Sequence, residues 1–147
     1  MLPQVVELTM NKLCCSLNRN TSNIESVYIY GSVALGDYIE GSSDIDFIAI
    51  LREQPSISDI QAISAAHEEV ENGIPNTDIM GAYLLINDLG KPGSEISSLL
   101  TYYNKQLHAD GRGADINPIT WWILKNHGIR IYGRALDVRF NLSDIED

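Results

Sequence analysis

The chain has 147 residues, enough for one domain with its own core. Ten basic residues against twenty acidic ones leave a net charge of −10, which argues against a protein that grips long nucleic acid through its phosphates. It suits a cationic partner or a site that concentrates a divalent cation, and it also serves plain solubility.

The adjacent pair Cys14-Cys15 makes neither a disulfide framework nor a zinc site. No basic segment followed by an apolar run opens the chain, and no run approaches membrane-spanning length. A cytoplasmic protein is expected. Asn141-Leu142-Ser143 spells a glycosylation sequon, which has no meaning without a secretion signal.

From about Pro3 to Leu17 the spacing of Val6, Met10, Leu13, Cys14 and Leu17 predicts an amphipathic helix. Asn18 to Asn23 reads as a turn. Val27 to Tyr30 is β-branched and aromatic, so a strand follows, stopped abruptly by Gly31-Ser32. A short helix is expected after Ser32, whose hydroxyl can cap it. The loop that follows contains Gly36 and Gly41, and Asp44-Ile45-Asp46 then runs into the strand Phe47 to Leu51.

Side chains alternate faces along a strand, so Asp44 and Asp46 point the same way. Two carboxylates on one face repel unless a cation sits between them. Mg2+ fits, because it takes oxygen ligands and leaves positions open for phosphates. A Gly-Ser turn can bring backbone N–H groups and a hydroxyl close to a phosphate. These parts suggest a metal-triphosphate site. No Walker A loop and no Gly-x-Gly-x-x-Gly fingerprint accompanies them.

Ser58 to Gln61 has capping-box spacing and predicts a helix to about Glu71, with Ile60, Ile63 and Val70 on its apolar side. His67, flanked by Glu68, reads as a surface residue. Gly73 and Pro75 mark a turn, and Thr77 to Ile86 a third strand with Asp78 at its start. Asn87 to Gly93 is another turn. Glu95 to Leu107 has mixed helical character, and His108 to Asp115 is a polar loop. Asn117 suits an N-cap and Pro118 the first helical position, with Ile119, Trp122 and Ile123 expected to face the core. Gly128 ends that helix and Ile129 to Tyr132 is a short strand. Ser143 and Glu146 have the spacing of another helix start, as if a further helical domain followed.

Gly31-Ser32, the intervening Val33 to Ser43 and Asp44-Ile45-Asp46 resemble the GS…DxD signature of the polymerase-β-type nucleotidyltransferases. The wider chain, Val27 to Gly133, is similar to the streptomycin/spectinomycin-type adenylyltransferases. The resemblance implies an α/β (α+β) nucleotidyltransferase fold, a small mixed sheet with helices packed on it, across residues 1–147. It implies an enzyme that moves AMP from ATP to a hydroxyl of a small cationic acceptor, an aminoglycoside, with no nucleic acid and no membrane as partner. Asp44 and Asp46 would hold two Mg2+ ions, the second shared with Asp78, which would also serve as the base. Gly31, Ser32 and Ser43 would hold the triphosphate, and Asp115, just before the last helix, would border the nucleotide. Two alternatives remain: a nucleotidyltransferase antitoxin that modifies or binds a protein partner, and a non-catalytic nucleotide-binding module.

Overall fold

The computed structural model of the protein describes residues 2–75, 77–96, 99–109 and 116–135. Its first helix, α1 (Gln4–Asn20), buries Val6, Met10, Leu13, Cys14 and Leu17 and leaves Cys15 exposed. This is the stripe that the spacing predicted. Leu13 and Leu17 are almost wholly buried, so truncating either to Ala would cost about 2–5 kcal/mol.

Next come β1 (Ile24–Tyr30), the single turn α2 (Gly31–Ala34), β2 (Ile45–Leu51), α3 (Ile57–Gly73) and β3 (Ile79–Leu85). Two short 3-10 turns, Ile86–Asp88 and Gly93–Glu95, lead to β4 (Leu99–Tyr103) and β5 (Gln106–His108). The chain then forms α4 (Pro118–His127) and β6 (Ile129–Gly133).

The six strands form one mixed sheet in the order β5-β4-β3-β2-β1-β6. Only β2 and β3 are parallel, in the register Ile45↔Ile79, and α3 is the crossover between them. The other neighbouring pairs are antiparallel. Alternation along β2 divides the core. Ile45, Phe47, Ala49 and Leu51 pack with α1 and α3, whereas Ile48 and Ile50 pack with Trp121 and Leu124 of α4. The expected α+β arrangement, a small mixed sheet with helices packed on it, is borne out.

Four local expectations need correction. The described residues between 96 and 107 form no helix: Leu99 to Tyr103 form β4, and Asn104 and Lys105, both at positive φ (52° and 62°), turn the chain into β5. The α3 cap is Ser56, not Ser58. Ser56 Oγ accepts the Asp59 N–H at 3.0 Å, and an Asp59 carboxylate oxygen accepts the Ser56 N–H at 3.0 Å.

His67 is not on the surface. It is buried, its Nε2 lies 2.7 Å from the Tyr83 hydroxyl, and its ring stacks on Tyr102 at 3.8 Å. Burial pushes its pKa down to about 3, so it is neutral at ordinary pH. Finally, α4 turns a different side inward. Trp121, Thr120 and Leu124 are buried, while Ile119 and Trp122 are exposed. Trp121 donates its indole N–H to the Lys91 carbonyl at 2.8 Å, which fixes that rotation. The predicted Asn117 cap does form, accepting N–H groups of Ile119 and Thr120.

Candidate active site

Asp44 and Asp78 stand immediately before the first residues of two parallel strands, so the register sets them side by side. The Ile45 N–H donates to the Asp78 carbonyl at 2.9 Å, which ties the two segments together. Asp46 lies two residues into the same strand region and faces the same way as Asp44 by strand alternation. That is the α4 face, because Ile48 and Ile50 continue the row into the α4 core. Asp46 also pairs in register with Tyr30, the last residue of β1, so the Gly31 turn falls directly beside it.

Gly31 has φ +71°, a conformation that an L side chain resists. Its missing Cβ is equally needed for space, because a methyl group there would run into the Asp46 carboxylate. The glycine therefore lets the β1–α2 turn close over Asp46. α2 is a single turn, too short to build much of a helix dipole. What the turn offers an anion is its backbone N–H groups and the Ser32 hydroxyl, which has no hydrogen-bond partner among the described residues.

The electrostatics follow from this crowding. Burial, then the charge of Asp44, pushes the Asp46 pKa up to about 6. Partial burial and the charge of Asp78 push the Asp44 pKa upward too. Among the described residues no Lys or Arg is ion-paired with any of the three. A hard cation with oxygen preference suits such a set of uncompensated carboxylates. Among the described residues no three His, Cys, Asp or Glu side chains are grouped so that together they could hold a metal ion. Mg2+ needs no such group, since it is commonly held by one or two carboxylates with water and phosphate completing its shell. The donor set fits the ion.

Of the remaining sequence candidates, Ser43 is occupied in closing the loop. Its hydroxyl accepts the Ile39 N–H at 2.9 Å, leaving only the hydroxyl hydrogen to offer a phosphate. Asp115 lies outside the described residues, as does the 143–146 helix start.

A cavity of about 260 Å3 opens beside Asp44 and Asp78, closed on its other side by Ile79, Met80, Tyr103, Asn104 and Lys105. The β4–β5 hairpin thus reaches the site, a contribution hidden by reading residues 95–107 as helix. The signal was there: Asn104 directly follows an aromatic, β-prone run, and Asn tolerates the left-handed turn a hairpin needs. Two larger cavities, about 390 and 380 Å3, have none of the three carboxylates in their lining.

A mixed sheet carrying paired carboxylates beside a Gly-Ser turn defines a nucleotide-transfer scaffold. Residues 9–100, which hold the turn and all three carboxylates, match the nucleotidyltransferase domain family, and the chain belongs to it. No curated protein sequence matches this chain.

Among solved structures, the chain is similar to spectinomycin adenyltransferase AAD(9) from Enterococcus faecialis, bound to ATP and spectinomycin. The TM-score is 0.65 at 16% identity, covering 94% of this chain and 62% of that one. It also resembles, more loosely, a structure of the tri-AMPylated Shewanella oneidensis HEPN toxin with MNT antitoxin. That likeness has a TM-score of 0.45 at 14% identity, over 88% of this chain and 73% of the other. A toxin–antitoxin structure with AMP-PNP is similar at a TM-score of 0.46 and 14% identity, over 84% and 73%. At these identities the likeness is one of fold. The chain spans 62% of the adenyltransferase's length. Among the described residues no helix is long and apolar enough to cross a membrane.

Proposed function

We propose that this domain transfers AMP from ATP to a hydroxyl group of a small cationic molecule, an aminoglycoside being the leading class. The observation that carries the reading is the placing of Asp46 against the Gly31 turn, with Asp44 beside it and Asp78 beside Asp44, none of the three ion-paired with a Lys or Arg among the described residues. ATP as the donor is supported by the ATP-bound adenyltransferase of like fold.

In this reading Asp44 and Asp46 hold Mg2+, with Asp78 sharing a second ion. When bound, the metal supplies charge neutralisation for the triphosphate and acidifies the acceptor hydroxyl. The protein's own groups do the rest. Gly31 leaves room for the triphosphate against the strand ends, and the Ser32 hydroxyl and neighbouring N–H groups orient it. Asp78, exposed at the cavity mouth, accepts the acceptor's proton. Holding donor and acceptor together, rather than covalent catalysis, supplies most of the acceleration.

The cavity beside Asp44 and Asp78 is where an acceptor would enter, and its carboxylates favour a cation. The test is pyrophosphate release from Mg·ATP with a panel of aminoglycosides. Acceptor-dependent release that is lost in Asp46→Asn supports the reading. Tight ATP binding with no release for any member of the panel removes the aminoglycoside.

A further inference from the structure

We propose that the cavity between α3 and the β4–β5 hairpin binds a small zwitterion of the amino-acid class, at a site separate from the nucleotide. Such binding goes beyond the reaction proposed above and does not depend on it.

The cavity measures about 390 Å3, within the range of about 300–1,000 Å3 that small-molecule sites occupy. On one side α3 contributes His67, Glu68 and Glu71, the two glutamates three residues apart and so neighbours on the helix surface. On the other side the hairpin contributes Tyr102 and Lys105. The Tyr102 ring stacks on His67 at 3.8 Å, which puts this wall on the α3 side of the sheet, whereas Asp44 and Asp46 share the α4 side. Lys105, in the hairpin turn, borders both this cavity and the one beside Asp44 and Asp78.

His67 is the buried group that no other role absorbs. Its Nε2 is held by the Tyr83 hydroxyl at 2.7 Å, and that hydroxyl has no other partner among the described residues. The phenol therefore donates to Nε2, and the single proton of the neutral ring falls on Nδ1. Nδ1 is buried and has no acceptor. A buried donor without a partner is costly, and this one belongs to a side chain that lines a cavity. Asp88 Oδ2 and His108 Nε2 share the lack, but neither residue borders this cavity.

The charges select the ligand. Two carboxylates stand on the helix side and one ammonium on the hairpin side, and among the described residues no ion pair joins them. Lys105 Nζ reaches only the Pro75 carbonyl at 3.5 Å, a contact at the long limit of a hydrogen bond and readily given up. A ligand of one sign would leave the other wall unmatched, and a zwitterion matches both. Its ammonium end suits Glu68 and Glu71. Its carboxylate end suits the Lys105 ammonium and the His67 Nδ1–H, both of which donate to an anion in charge-assisted bonds.

The experiment is isothermal titration calorimetry of the full chain, without nucleotide, against the standard L-amino acids one at a time. For the tightest of them, the amine lacking the carboxylate and the acid lacking the amine are titrated as well. The expected result is binding of at least one amino acid, weakened about tenfold or more in each truncated compound. A similar loss is expected in Glu71→Gln and in the pair His67→Phe with Tyr83→Phe, while Asp44→Asn binds as wild type does, all folded by circular dichroism. Should the double variant fail to fold, Glu71→Gln and Lys105→Gln decide. No binding by the folded wild type, binding of the bare amine as tightly as the amino acid, or binding that survives Glu71→Gln overturns the inference. So does binding lost in Asp44→Asn, which would put the ligand in the other cavity. None of these outcomes touches the proposed nucleotidyl transfer.

Discussion

The backbone of Gly31 lies so close to the side chain of Asp46 that a methyl group on the glycine would overlap the carboxylate. In the proposed reading the contact would join the triphosphate turn to a metal-holding carboxylate through one missing atom. Gly36, five residues on, provides the contrast: its φ is also positive, at +80°, but nothing lies within 4 Å of where its Cβ would be. Both Gly31→Ala and Gly36→Ala should lose about 1–2 kcal/mol from the left-handed backbone alone. Only Gly31→Ala should also displace Asp46, with a fall of about a hundredfold in Mg2+-dependent ATP turnover. Thermal unfolding and pyrophosphate release on both variants separate the two effects. Equal activities would mean that Asp46 does not need its present position.

Asp44→Asn and Asp46→Asn should each lower Mg2+-dependent turnover by about a hundredfold or more while the fold survives. Neither carboxylate is paired with a protein cation among the described residues, so neither substitution strands a buried positive charge. Wild-type turnover in either variant would dismiss the metal assignment.

Asp78→Asn should separate binding from chemistry. Asp78 is exposed and lines the same cavity as Asp44, where the proposed function places the acceptor. As a base it acts in the transition state, so kcat should fall by about 10²–10⁴ while the Kd for Mg·ATP moves little. A parallel loss of both would recast Asp78 as a metal ligand only.

Much of the site was legible because strands carry a simple code. A period of two puts Asp44 and Asp46 on one face, and Asp78 reads as the opening of the neighbouring strand. Helix faces were less legible where polar neighbours distracted. His67 falls on the buried stripe of Ile63, Ala66 and Val70, but Glu68 and Glu69 beside it made the segment look solvated. On α4 the cap was clear, yet Trp121 and Trp122 are adjacent and only tertiary packing against Lys91 chooses between them. The β4–β5 hairpin was hidden because its turn uses Asn104-Lys105 rather than a glycine.

Two buried or half-buried groups should give the metal-free protein opposing pH dependences. The Asp46 pKa is raised in the folded state, to about 6 from an ordinary 3.8. The folded chain therefore holds more protons there than the unfolded chain, and stability falls as pH rises from about 4 to 6. At pH 7 Asp46→Asn should be more stable than wild type by about 1–2 kcal/mol, after allowance for the solvent that still reaches the carboxylate. Added Mg2+ should stabilise the wild type and do little for the variant, narrowing or reversing the gap.

His67 runs the other way. Its folded pKa is lowered to about 3 from an ordinary 6.5, so the unfolded chain takes up the proton first as pH falls. The stability associated with its neutral form is complete above pH 6.5 and drains away between about 6.5 and 3. Removing the imidazole alone would strand the Tyr83 hydroxyl, which is bonded to it at 2.7 Å inside the aromatic cluster of Phe47, Tyr83 and Tyr102. The clean variant is the pair His67→Phe with Tyr83→Phe, which removes donor and acceptor together. Urea midpoints from pH 7 to pH 4 should fall steeply for wild type and markedly less for the double variant. The same series in Asp46→Asn should fall more steeply than wild type, because the opposing carboxylate is gone. Parallel curves for wild type and the double variant would show that His67 is not the source of acid sensitivity.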